Sequence, residues 1–160
     1  VNTTRMLLLV AMILFPAASM AQGFQVAFGQ MQQDTELPVE VDADNLSVNQ
    51  NDGSAVFTGN VSIVQGEMRL TADKVNVHYQ AETRTIARLV ATGDVLLVQG
   101  PDVAEADAAE YSIESGNVHM TGNVMVLQEA TTITADEMTV NLADNTAHMH
   151  GRVKTILRSE

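Results

Sequence analysis

From Leu37 onward, apolar and polar residues alternate with a period of two, and the alternation recurs in blocks. Phe57, Gly59, Val61 and Ile63 fall on one face of an extended segment, with Thr58, Asn60 and Ser62 on the other. Met120, Gly122, Val124 and Val126 repeat this against Thr121 and Asn123, and Met149, Gly151 and Val153 repeat it against His148, His150, Arg152 and Lys154. Between such runs stand Asn51-Asp52-Gly53, Glu114-Ser115-Gly116 and Ala143-Asp144-Asn145, which supply the positive φ and Asx hydrogen bonds of hairpin turns. The pattern predicts an all-β chain of short antiparallel strands, as a sandwich, jelly roll or solenoid. After the first 21 residues no helical period appears.

The blocks are copies of one unit. Each begins with an Ala-Asp pair, at Ala43-Asp44, Ala72-Asp73, Ala106-Asp107 and Ala135-Asp136, and ends on a strand centred on Gly59, Gly93, Gly122 or Gly151. The glycine lies 16 positions after the alanine in three units and 21 in the second, and each glycine is followed 13 positions later by the next alanine. Self-similarity at a period of about 30 residues marks a repeat architecture. A glycine on an inward strand face gives up packing area, so its recurrence predicts a bend, a bulge or close approach of the facing sheet. The repeated aspartates occur singly, without the clustered oxygens a Ca²⁺ site needs, and are expected at turns or strand ends.

The first residues differ from the rest. Arg5 precedes the apolar run Met6 to Phe15, followed by Pro16 and the small-residue stretch Ala17 to Ala21. This is the form of a secretory signal, with a Ser19-x-Ala21 cleavage pattern, and the run is shorter than the roughly 20 residues a spanning helix needs. Residues 1–21 are therefore expected to be a cleaved signal peptide that exports the chain. Residues 22–36, rich in Gln and without sustained periodicity, are expected to be a flexible leader, and 37–158 the folded domain.

Composition narrows the function classes. There is no cysteine, hence no disulfide, no lipidated N-terminal Cys and no thiol nucleophile. Removal of the signal would leave 7 basic and 20 acidic residues, a net charge of −13. That charge argues against nucleic acid and against electrostatic docking on anionic headgroups. Neither a Gly-rich phosphate loop nor a Ser/His/Asp arrangement is present, so no enzyme activity and no cofactor are expected. His148 and His150 share a strand face, and His119 holds the repeat position of His148, yet three well-placed metal ligands are not evident. Arg69, Lys74, Arg84 and Arg88 belong to a solvated face or to the lip of a groove.

Leu37-Pro-Val-Glu-Val-Asp-Ala-Asp-Asn-Leu46, Ala55-Val-Phe-Thr-Gly-Asn-Val-Ser-Ile-Val-Gln-Gly66 and Leu70-Thr-Ala-Asp-Lys-Val-Asn-Val77 resemble the opening of the LptA family and its OstA-like domains. Met120 to Val124 and Arg152 to Leu157 are also similar to that family. The resemblance implies a V-shaped antiparallel β-jelly roll of about 16 short strands, built from four repeats and open at both ends. It also implies a bridge that takes lipopolysaccharide from an LptC-like partner of the inner-membrane export complex to an LptD-like outer-membrane translocon. Two departures stand out: the connection around Gln80 to Arg88 is compact, and Glu160 follows closely on the last strand, which leaves the terminal edge uncovered.

Phe57, Tyr79 and Tyr111 are the only aromatics after residue 36, and the inward set is Val, Ile, Leu, Met and Ala. Flexible acyl chains need such a smooth apolar trough and no directional partners. The expected trough residues are Val39 and Val41 at the entry, then Phe57, Val61, Ile63, Leu70 and Val77. Val95, Leu97, Met120, Val124, Val126, Met138 and Val140 continue it. The same residues would equally fill the closed core of a structural or adhesive β-repeat protein. Unpaired edges at Val39, Glu40 and Val41 and at Val153, Thr155 and Leu157 are expected to pair with partner proteins or with a second copy, head to tail.

Overall fold

In the computed structural model, residues 24–29 and 36–158 are described, and the expected signal sequence lies outside them. The chain forms β1 (Phe24–Ala27), β2 (Glu40–Asp42), β3 (Asn45–Val48), β4 (Ala55–Gln65), β5 (Met68–Tyr79) and β6 (Ile86–Gln99). It continues through β7 (Asp102–Ser112), β8 (Asn117–Gln128), β9 (Thr131–Asn141), β10 (Thr146–His150) and β11 (Lys154–Leu157). All eleven belong to one antiparallel sheet in the order β1-β10-β9-β8-β7-β6-β5-β4-β2, with β3 also on β4 and β11 also on β9. From β4 to β10 each strand pairs with its sequence neighbour, so the body is a meander, without the crossing connections of a Greek-key jelly roll.

The described residues form eleven strands where about sixteen shorter ones were expected, because β4 to β9 do not stop where the chain bends. Each runs for 11 to 14 residues through a point where the register slips. Slips between Thr58 and Val61, Thr92 and Val95, and Thr121 and Val124 each span one of the recurrent glycines, and slips between Thr71 and Lys74 and between Glu105 and Ala108 span the aspartates that Gly93 and Gly122 meet. At each of the first three, Gly-x stands against one residue of the next strand, a β-bulge that bends the strand without ending it. The six long strands therefore contribute one half to each of two layers. β3 and β10 complete the first layer, β2 and β11 the second.

The glycine at the bend is required twice over. Gly93 has φ +82°, and a Cβ there would lie 2.5 Å from Asp73 Oδ2 and 2.9 Å from Asp73 Cβ. The same meeting recurs at Gly59 with Asp44, Gly122 with Asp107 and Gly151 with Asp136. The close approach is thus to an aspartate on the adjacent segment, not to the facing layer. Three of the four aspartates stand inside long strands, not at turns or strand ends as expected.

With its outer face wet, a single sheet can bury the other only by folding on itself. Val61, Ile63, Leu70, Val75, Leu97, Met120, Val126 and Met138 are each at most 1% exposed and join one cluster spanning both layers. Tight turns close the second layer at Gly66-Glu67, Gly100-Pro101 and Glu129-Ala130. Longer turns close the first, where Gly53, Arg84, Gly116 and Asn145 take positive φ. The second unit's extra length lengthens its hairpin at residues 80–85 and carries Tyr79 outward.

The flexible-leader expectation does not hold for residues 24–29. β1 docks on β10, Phe28 is fully buried, and the Phe28 N–H donates to the Asn145 carbonyl at 2.9 Å. Polar Gln at the segment's start masked an alternation of only four residues. The sheet is open at both ends, with β2 and β3 bare at one and β11 bare at the other, while β10 is covered by β1.

Gly93→Ala is expected to cost about 3 kcal/mol or more, adding steric overlap to the strain of positive φ. Gly53, with φ +71° and nothing within 4 Å of a built Cβ, should lose only about 1 kcal/mol as Ala. Urea unfolding of the two variants checks the difference; equal losses would show that the aspartate contact is unimportant.

Candidate functional site

The interior is built from rows of side chains that cross the strands. In the second layer, Val41, Ile63, Leu70, Leu97, Ala104, Val126, Ile133 and Thr155 are successive register partners. In the first layer one row runs Leu46, Phe57, Val75, Ala91, Ala109, Met120, Met138 and Met149. Beside it runs Val48, Ala55, Val77, Leu89, Tyr111, Val118, Val140 and Ala147. Next to the bend, Val faces Ala in the pairs Val61–Ala72, Val95–Ala106 and Val124–Ala135, where two layers converge and only small side chains fit.

All fourteen expected trough residues fall on this inward face. Val61, Ile63, Leu70, Val77, Val95, Leu97, Met120, Val124, Val126, Met138 and Val140 are buried, while Val39, Val41 and Phe57 are partly so. In this conformation they pack on one another, so the interior is closed along most of its length and not open as a trough. The expected set omitted Val75, Leu89, Ala104, Tyr111, Val118, Ile133 and Met149. Val75, Ala104, Tyr111, Ile133 and Met149 hold repeat positions equivalent to ones that were named, as Ile133 and Ala104 match Leu70, whereas Leu89 and Val118 occupy the position four before the recurrent glycine, which the expected set did not sample.

At the β2–β3 end the interior opens. Leu46 is 56% and Val48 59% exposed, although they begin the two first-layer rows. A cleft of about 710 Å³ lies there, walled by Leu46, Val48, Ala55, Phe57, Tyr79 and Ala81 and by the 49–53 turn. Its volume is in the range of small-molecule pockets, roughly 300–1,000 Å³. Arg84 at its lip is the cationic side chain among its lining residues. The other expected lip cations lie elsewhere: Arg88 pairs with Glu110 at 3.4 Å, and Arg69 and Lys74 are exposed on β5.

A polar rim lines the long side away from the bend. Gln65, Gln99 and Gln128 each stand six positions after a recurrent glycine, and Gln65 and Gln99 are buried. The Tyr111 hydroxyl donates to Gln65 Oε1, tying the first layer to the second, and Gln65 Nε2 donates to the Leu37 carbonyl at 2.8 Å. Burial pushes the Tyr111 phenol up to about 12, so it remains a neutral donor at physiological pH. Gln128 Nε2 donates to Asp102 Oδ2 at 3.0 Å. At the bend, Asn60 and Asn123 donate to Asp44 and Asp107 at 2.8 and 2.9 Å. Arg152 binds Asp136 through Nε and Nη2, holding that carboxyl below the usual carboxylate range.

Among the described residues no three His, Asp or Glu side chains gather as metal ligands. His119 Nδ1 sits 3.0 Å from Thr139 Oγ1 on the outer face. What the site offers is apolar volume, a polar rim and bare edges. Leu37, Leu46, Val48 and Tyr79 are exposed at one end, and Val153, Ile156 and Leu157 at the other. Of the expected edge contacts, Thr155 and Leu157 lie in β11, Glu40 and Val41 in β2, and Val39 and Val153 just outside the strands.

The family described as LptA/(LptD N-terminal domain) LPS transport protein matches residues 40–146. The chain is 29% identical over 108 residues to an uncharacterized protein of Rhizobium meliloti, covering 68% of this chain and 58% of that one. It is 56% identical over 48 residues to the LPS-assembly protein LptD of Salmonella typhimurium, 29% of this chain and 6% of LptD. It therefore spans just over half of the first relative and a small part of the second. In fold it is similar to the crystal structure of LptH from Pseudomonas aeruginosa, the LptA homologous periplasmic component of the lipopolysaccharide transport device. The TM-score is 0.69 at 19% identity, with 79% of this chain and 99% of that chain covered.

Raising the pH from about 10 through about 12 is expected to destabilise the fold, because ionising Tyr111 requires a buried phenolate. Its folded pKa lies above the unfolded value, so its contribution is complete below pH 10 and lost as pH rises through about 12. In a Tyr79→Phe variant, ultraviolet titration of the remaining tyrosine should have its midpoint near 12. A midpoint near 10 would remove Tyr111 from the interior.

Proposed function

The chain belongs to the LptA/LptD N-terminal domain family of lipopolysaccharide transport proteins, and from that premise we propose that it is a periplasmic carrier holding lipopolysaccharide by its acyl chains. The observation that carries this is the set of predominantly aliphatic rows, which run across the sheet and emerge at Leu46 and Val48 on a bare edge. Such an interior offers apolar surface along its whole length and few directional partners. It suits a cargo that must slide.

Acyl burial contributes about 0.8 kcal/mol per CH₂. Because the interior is closed in this conformation, loading would require the two layers to part about the glycine bend and exchange their mutual contacts for contacts with the lipid. The 710 Å³ cleft is the entry in this reading, and Arg84 would meet a lipid phosphate at its lip. The net charge of −13 expected after signal cleavage opposes the lipid phosphates, so affinity would come from the interior. Lipid would arrive at the β2–β3 end from an LptC-like partner and leave at the β11 end toward an LptD-like translocon or a second copy. Bare edges at both ends provide the backbone donors and acceptors for such pairing.

Lipopolysaccharide should raise the melting temperature of the exported protein, and raising NaCl from 50 to 500 mM should change its dissociation constant by less than about threefold. No melting shift would favour the closed structural β-repeat; a steep salt dependence would transfer the affinity to charge. Leu157→Asp, at a position 77% exposed, should leave the monomer within about 0.5 kcal/mol of the parent yet abolish downstream pairing. Crosslinking to the β11 edge at parental yield in that variant would count against the assigned direction.

A further inference from the structure

β1 is the one described strand whose partner lies more than a hundred residues away, with Phe24 opposite Met149 and Ala27 opposite Thr146. It lengthens the first-layer rows by one position, setting Val26 beside Ala147. Phe28 then leaves the edge and enters the core. Its flanking backbone ties both layers together. The Phe28 N–H donates to Asn145 of a first-layer turn, the Gly29 N–H to Asp102 Oδ2 of the second-layer rim at 2.6 Å, and Gln128 Nε2 donates to the Ala27 carbonyl at 2.5 Å. A Cβ on Gly29 would lie 2.5 Å from Gln99 Cγ, so the segment fits closely at this end.

At the opposite end, β3 is a strand of the same length with Leu46 and Val48 exposed. Strand direction alternates across the meander, so β3 runs antiparallel to β10, as β1 does. A second copy displaced along the stacking direction would therefore bring its β3 to the place that β1 occupies, and would cover Leu46 and Val48 in doing so. We propose that β1 and Phe28 form a displaceable cap, which holds the β10 edge and closes the interior until β3 of a second copy replaces it. The proposal rests on the end-to-end transport reading and adds an intramolecular competitor to it. β1 is short, with Gln25 and Ala27 exposed, so the main side chain that the exchange withdraws from the core is Phe28.

The chain has no cysteine, so Gln25→Cys with His148→Cys, directly opposed and on the outward face, reports on one disulfide alone. In the exported protein, oxidation should weaken self-association by at least tenfold in sedimentation velocity, and reduction should restore it. Phe28→Ala should strengthen self-association at least threefold. Equal association of the oxidised and reduced forms overturns the cap, and so does an absence of association in both the reduced protein and Phe28→Ala. Lipopolysaccharide-induced melting shifts on the same samples judge the transport reading separately: no shift in any form overturns that reading, while the cap stands or falls on association alone.

Discussion

Everything in this fold turns on a glycine meeting an aspartate. At each of the four bends a Gly-x bulge on one strand lies against an aspartate of the adjacent segment, with no room for a Cβ between them. The bulge re-aims the strand so that both of its halves present apolar residues to the same interior. Without it, strands of 11 to 14 residues would give one broad sheet with an exposed apolar face. The residue after the glycine also takes positive φ, at Asn60, Asp94, Asn123 and Arg152. In three of the four units that side chain returns to the aspartate as a donor. The second unit places Asp94 there instead, and we have no physical account of that choice.

The interior follows from the bend. Where the layers converge, Val opposes Ala; farther out there is space for Ile, Leu and Met; at the open side glutamines and Tyr111 supply hydrogen bonds between layers. Such a gradient fills a wedge. Its rows are apolar along the stacking direction except at the Tyr111 hydroxyl, which Gln65 satisfies, and at Thr155 on the β11 edge, and they run out at an uncovered edge at Leu46 and Val48. The ends differ: β2 and β3 leave their apolar positions uncovered, while the far end is half covered by the chain's own β1.

Much of this was legible in the residues. Period-two alternation grouped Val61 with Ile63 and Val124 with Val126 on the faces that the structure buries, and turn residues such as Gly53 and Asn145 adopt the positive φ their type suggests. Spacing alone picked out the recurrent Gly and Asp, though not that they touch. The count of about sixteen short strands came from the family resemblance; the described residues form fewer, longer strands because a bulge bends a strand without ending it. β1 was missed for a different reason: a strand of four residues after a Gln-rich start has too little pattern to register.

The sequence by itself thus determined the all-β character, the hairpin turns, the alternation of apolar and polar positions and the recurrence of Gly and Asp, since each depends on residues within about one repeat of one another. Only the tertiary structure decided that the two layers close on each other, that Gln65 and Tyr111 join across the interior, and that Phe24 to Phe28 belong at the far end of the sheet. Those contacts link segments 46 to 125 residues apart, and no local periodicity encodes which distant edge a short strand will meet.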